Sequence, residues 1–292
     1  MFRQNKAWRT GLQAGLLALI CFGSISWCYF QNASLAKQLA GRDVAQSFSL
    51  RIVERFYESV GPVYMLASLV RKNNGELSDF DAWATDLIHE FPLLRTLELA
   101  PKGVVTHVYP LQGNEVVIGH DLLKDKSRNK EAHLAVSKRQ MSVAGPFELM
   151  QGGFAAIARY PIFIKDQNGR GSFWGFSIAL VNIADLLAVA GESEIERSGY
   201  DYQLCRNTTD SGKCEVFAWR GKPMAENYTT VSVGLPNANW MLTISPKSDG
   251  ELMALKISIL VAVVVASLIV AIGVYFLQRQ GQESTSDDEP IS

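Results

Sequence analysis

The chain has 292 residues, enough for one or two domains with cores of their own. Its 28 basic and 29 acidic residues leave a formal net charge of −1, which speaks against a nucleic-acid partner, and 48% apolar content excludes a disordered polymer. The apolar residues are unevenly spread, and their placement sets the organisation of the chain.

From Gly11 to Phe30 the sequence reads GLQAGLLALICFGSISWCYF, and from Ile257 to Leu277 ISILVAVVVASLIVAIGVYFL, both without a charge. A helix rising about 1.5 Å per residue needs about 20 residues to cross about 30 Å of hydrocarbon, so each run has the length of a transmembrane helix. A cleaved signal peptide shares the basic start and apolar core of the first run. That run is longer than a signal core, ends in Trp27 and Tyr29, and lacks a small-x-small site, so an uncleaved anchor is expected. Arg3, Lys6 and Arg9 precede the first run and Arg279 follows the second, which places both termini in the cytoplasm. Everything from about Gln31 to Leu255 is then extracytoplasmic.

The outer segment opens on a long helix, with apolar residues at Leu35, Leu39, Phe48, Ile52, Phe56, Val60 and Met65 in one stripe and a possible kink at Gly61-Pro62. The stripe suits packing on the domain behind it or on a second copy. Ser78 is the expected cap of a second helix, SDFDAWATDLIHEF, which Pro92 stops. The period then changes to two: LRTLELA, a turn at Pro101-Lys102-Gly103, and VVTHVYPL read as a hairpin. NEVVIGHDLL is expected to lead into a helix running through KDKSRNKEAHLAVSKRQM to Gly145-Pro146. FELMQ, FAAIARYPIFI and SFWGFSIAL read as three further strands, with NIADLLAVAG as a closing helix. A smaller set comes after them: YDYQLCR, CEVFAWR, YTTVSVGL and NWMLTISP, the last ending about ten residues before the second apolar run.

Cys21 and Cys28 lie inside the first apolar run, whereas Cys205 and Cys214 stand at the feet of the RNTTDSGK turn. On an oxidising side of the membrane these two are expected to pair, closing a loop of about ten residues for roughly 2.5 to 3 kcal/mol. The four histidines, His89, His107, His120 and His133, show no metal-ligand spacing and no partnered nucleophile, so neither a metal site nor a catalytic residue is expected. His120-Asp121 reads as capping chemistry at a helix start.

Three ordered blocks, FPLLRTLELAPKGVVTHVYPLQGNEVVIGHDLLKD, AGPFELMQGGFAAIARYPIF and FWGFSIALVNIADLL, resemble the signature of the CHASE domain, the outer sensory module of receptor histidine kinases and of cyclic-di-GMP synthases and phosphodiesterases. The resemblance covers about Phe91 to Leu187. It implies an α+β fold: two transmembrane helices flanking a CHASE-type ectodomain with a long N-terminal helix and two PAS-like modules. The expected divisions are 1–10 cytoplasmic N-terminus, 11–30 first span, 31–78 long periplasmic helix, 79–191 membrane-distal module, 192–250 membrane-proximal module, 255–277 second span and 278–292 cytoplasmic tail.

The resemblance further implies an inner-membrane sensor whose distal module holds a small organic ligand, with a homodimer as the expected assembly and no cofactor. Members of this family continue past the second span into a kinase, GGDEF or EAL domain; this sequence carries none of their motifs, so the expected output is a separate histidine kinase or cyclic-di-GMP enzyme, or one on a longer parent chain. An interaction module that binds a periplasmic protein or glycan is the alternative. A ligand pocket of this kind is mostly apolar with a few convergent polar groups. The candidates are Tyr109, Phe147, Leu149, Gln151, Ala156, Arg159 and Phe163, with Gln151 able to donate and accept and Arg159 able to grip a carboxylate in a fork.

Overall fold

Proline decides where the first helix stops. Helix α1 runs over Phe2–Ser59 with no proline inside it, and Pro62 falls in the first turn of α2, Gly61–Lys72, where a missing N–H forfeits no hydrogen bond. The computed structural model describes residues 2–126, 129–148, 154–165, 171–207, 214–221, 228–238, 240–247 and 250–284. They divide between two compact units, Met1–Leu39 with Ser248–Ser292, and Ala40–Lys247.

In the first unit the start of α1 packs antiparallel on α7, Gly250–Ser284. Thr10 Oγ1 donates to Gln278 Oε1, and a side chain on Gly11 or Gly15 would meet Ala271 at 2.8 and 2.7 Å. Small residues permit that approach, as they do between helices in lipid. Both helices contain a window long and apolar enough to cross a membrane, of mean hydropathy 1.6 and 3.0, and nearly all of each window is uncovered by protein.

The second unit is built around two antiparallel sheets. After α3, Phe80–Glu90, come β1, Leu94–Pro101; β2, His107–Tyr109; a 3₁₀ turn at Glu115–Val117; α4, Lys130–Lys138; β3, Ser142–Glu148; β4, Phe154–Lys165; and β5, Gly171–Asn182. These five strands lie in the order β2-β1-β5-β4-β3. Helices α5, Ile183–Val189, and α6, Glu192–Arg197, lead to β6, Tyr200–Asn207; β7, Cys214–Arg220; β8, Thr229–Val233; and β9, Trp240–Pro246, in the order β7-β6-β9-β8.

Strand alternation gives the larger sheet two different faces. One carries Leu97, Leu99, Ala156, Ala158, Ala179 and Val181 against the stripe Val63, Leu66, Ala67 and Val70 of α2. The alanines let the helix settle close enough for Ser177 Oγ to donate to Val63 O at 2.6 Å. The same core continues along Phe48, Ile52 and Phe56 of α1 to Tyr202, Leu204, Trp240 and Leu242 of the smaller sheet. Phe48 and Tyr202 meet edge to face at 5.7 Å, and Trp240 Nε1 donates to Gly145 O of the larger sheet. The other face of the larger sheet has its own apolar cluster, Ala100, Phe176 and Ile178 with Val105, Leu122, Ala132 and Ala135.

Several local expectations are corrected. No helix enters at Asn114: the β-branched Val116, Val117 and Ile118, which crowd a helix, form the end of the 3₁₀ turn and an extended residue after it, and Gly119 (φ 85°) redirects the chain. Helix α4 spans only Lys130–Lys138 and is stopped by Arg139 in the left-handed conformation, not by Gly145-Pro146, which lie inside β3. Asp79 rather than Ser78 precedes α3, with no side-chain cap. The Cys205–Cys214 disulfide does tie β6 to β7, with Cα atoms 5.4 Å apart.

Candidate functional site

The antiparallel register sets three residues in one row across the larger sheet: Glu98 of β1 opposes Ile178 of β5, which opposes Arg159 of β4. An acid and a base thus flank an aliphatic side chain on the second face, and both are buried, at 5% and 1% exposure. Above the row is a cavity of about 300 Å³, at the low end for small-molecule sites. Its walls are apolar (Val105, Val117, Leu122, Phe147, Ile157, Ile178 and Leu180), and its polar groups are Glu98, Arg159, Asn114, His120 and Glu148.

Local chemistry holds the mouth in shape. Gly119 N donates to Val105 O and Val105 N to His120 O, stitching the segment after β2 back to the turn after β1. Asp121 Oδ1 accepts from the backbone N–H of Leu123 and Lys124, and Lys124 Nζ lies 2.9 Å from its other oxygen; the Lys124 side chain is the main reason its carboxyl is held below the usual range. His120-Asp121 therefore organises a turn rather than a helix start, and His120 Nε2 sits 3.5 Å from Asp125. Asn114 Nδ2 donates to Pro110 O, fixing the loop that carries Val116 and Val117.

Burial raises the Glu98 carboxyl from its ordinary 4.5 to about 7, against the opposing pull of the Arg159 charge and the Thr96 hydroxyl. Near neutral pH this group can be either a hydrogen-bond donor or an anion. The Thr96 hydroxyl, on the same face of β1, is buried and near enough to favour the anion, but it meets full hydrogen-bond geometry with no described residue.

The sequence-derived candidates are placed apart. Phe147 and Arg159 line the cavity. Ala156 pairs with Val181 and Tyr109 with Leu97, so both face the helix-side core instead. Phe163 stands near the far end of β4, with the Arg139 guanidinium 4.2 Å above its ring. Leu149 and Gln151 lie outside the described residues. Glu98, Asn114 and His120 were not among the candidates, although a lone acid in the apolar strand TLELA was a visible signal. Among the described residues no group of three or more His, Cys, Asp or Glu side chains could hold a metal ion.

A CHASE domain family model matches residues 67–215. Of solved structures, the extracellular ligand binding receptor from Desulfohalobium retbaense matches at a TM-score of 0.52 and 16% identity, over 68% of this chain and 39% of its own. This chain thus spans well under half the length of that receptor. The ligand-binding domain of the Pseudomonas aeruginosa amino acid chemoreceptor PctC, solved in complex with GABA, matches at 0.50 and 14% identity, over 73% of this chain and 100% of its own. At such identities the likeness is one of fold. No curated protein matches the chain.

Proposed function

This chain belongs to the CHASE domain family, and on that premise we propose that it is a membrane-anchored sensor whose larger-sheet cavity binds a small extracytoplasmic molecule. The observation that carries the reading is the buried acid and base, Glu98 and Arg159, lining a largely apolar cavity. Burying two ionisable groups is costly, and such placement is typical of sites that recognise a polar ligand. The two apolar helices and the fold of extracellular sensor domains support a membrane protein with a periplasmic domain; in this account both helices span and both termini are cytoplasmic. The strand order β2-β1-β5-β4-β3 supports treating the larger sheet as the distal PAS-like module and the four-stranded sheet as the proximal one.

Signalling then takes the form of a population shift. A ligand that prefers one arrangement of the modules a hundredfold supplies about 2.7 kcal/mol, enough to bias a near-balanced pair of states. The recipient is a histidine kinase or a cyclic-di-GMP enzyme, and a homodimer makes the change readable in the membrane. Thermal unfolding of the full chain in detergent against a small-molecule library tests the reading. Hits are expected in the wild type and are lost in Ile157→Trp, which fills the cavity. A chain that no small molecule stabilises, but that captures a periplasmic protein or a glycan, overturns it.

A further inference from the structure

Phe147 belongs both to the cavity wall and to a contact with the smaller sheet: the Arg206 guanidinium of β6 lies 5.1 Å from its ring centroid, within cation–π range. Arg206 and Trp240 stand opposite each other in the β6–β9 register, so their side chains share a face. Both reach one strand of the larger sheet, since Trp240 Nε1 donates to Gly145 O at 3.1 Å, two residues before Phe147 in β3. We propose that this end of β3 is a coupling element, through which the smaller sheet reads whether the cavity is occupied. The row it touches includes β9, which ends at Pro246, shortly before α7 begins at Gly250. This gives the sensor reading above a route for its signal and rests on that reading for its purpose.

The pairing of β3 lets it move with the smaller sheet. It is the outermost strand of the larger sheet and is bonded there to β4 alone. Between the pairs Ala144–Ile157 and Phe147–Ala155 it takes three steps where β4 takes two, a bulge with Gly145 at φ 90°. Pro146 has no N–H for a ladder bond there, and Gly145 O accepts from Trp240. Earlier in the strand Val143 N donates to Pro236 O, on the segment leading into β9. The stretch that carries Phe147 is thus tied to the smaller sheet as well as to β4. Arg206 is itself held in place: its Nε and Nη2 lie 2.8 and 2.7 Å from Oε2 of Glu215, its partner across β6–β7, beside the Cys205–Cys214 disulfide.

Helix α1 also joins the two sheets, through Phe48 against Tyr202, but no described residue of α1 or α2 lines the cavity. The stripe of α2 covers the opposite face of the larger sheet. A molecule entering the cavity meets the Phe147 ring itself, and a close-packed interior passes a displaced ring on to what it touches. Coupling of this kind is reciprocal, so loosening Arg206 or Trp240 also alters what the cavity accepts.

The test uses the full chain in detergent with two built-in occupants, read by hydrogen–deuterium exchange. In Val116→Cys, with Cys21 and Cys28 replaced by alanine, N-cyclohexylmaleimide tethers an apolar ring at the mouth, and N-methylmaleimide is the matched small adduct. Ile157→Trp, compared with Ile157→Val, fills the cavity from β4. At least one occupant is expected to change amide exchange in β6 and β9 at least threefold against its control. Arg206→Gln, which removes the guanidinium, or Trp240→Phe, which removes the Nε1 donor, is expected to cut that change at least threefold. Should Trp240→Phe fail to fold, Arg206→Gln alone decides. No change in β6 and β9 with either occupant overturns the proposal, as does a change that both variants leave within threefold of its full size. Because the occupants are attached to the chain, either negative result leaves the sensor reading standing, and the compound library decides that separately.

Discussion

Replacing Glu98 by Gln is predicted to stabilise the ligand-free protein at alkaline pH. The unfolded chain releases this proton near 4.5 and the folded chain near 7, so between those values the folded state holds more protons. Stability therefore falls as pH rises through that window, is undiminished below it, and changes no further above it. At about 1.4 kcal/mol per tenfold, the displacement corresponds to roughly 3 kcal/mol at full ionisation. Gln keeps the shape and removes the charge, so the variant should gain up to roughly 3 kcal/mol at pH 8 and little at pH 4.5. For a unit the size of Ala40–Lys247 that is a rise of roughly 6 to 12 °C in melting temperature. Tryptophan fluorescence during thermal unfolding, from pH 4.5 to 8.5, reads it directly. Parallel pH profiles for wild type and variant would refute the reasoning, because the buried carboxyl would then not be what stability responds to.

Gly175→Ala should cost about 2 kcal/mol or more, since its Cβ would run into Ala100 O and lie 2.8 Å from Pro101 Cα across the β1–β5 pairing; chemical denaturation measures it. Cys214→Ser opens the loop that the disulfide closes and should lower stability by about 2.5 kcal/mol, and reducing the wild type with dithiothreitol should produce the same loss. Gly15→Leu places a side chain where Ala271 Cβ would be 2.7 Å away, so crosslinking between cysteines at positions 12 and 272 should drop severalfold; unchanged crosslinking would show that the two helices do not need the close approach.

Much of this fold was legible because its signals are local. The uncharged runs stand out by length, the Lys102-Gly103 turn by its glycine (φ 53° and 87°), the strand of LRTLELA by alternation, and that of FAAIARYPIFI as a short apolar run between glycine-rich stretches. What could not be read was which face each strand presents. Ala156 and Ile157 are neighbours in sequence but lie on opposite faces, and only the register with β5 assigns Ile157 to the cavity and Ala156 to the helix side. For the same reason Arg159 and Phe147 come together with Glu98 while Tyr109 does not. The helix expected after Asn114 failed on a different ground: three β-branched residues and a glycine at positive φ stand where it would enter. Glu98 was passed over because a single acid in a strand is ordinarily solvent-facing, and its burial depends on three segments distant in sequence closing over it.

Accessibility of the cavity mouth from outside the cell tests the account most directly. Val116 lines the cavity and is 69% exposed, so Val116→Cys, in a chain with Cys21 and Cys28 replaced by alanine, supplies one reactive thiol there. In spheroplasts a membrane-impermeant maleimide should label it, and the most strongly stabilising compound should slow that labelling at least fivefold. Labelling only after lysis, or at a rate no compound changes, would contradict an extracytoplasmic binding site.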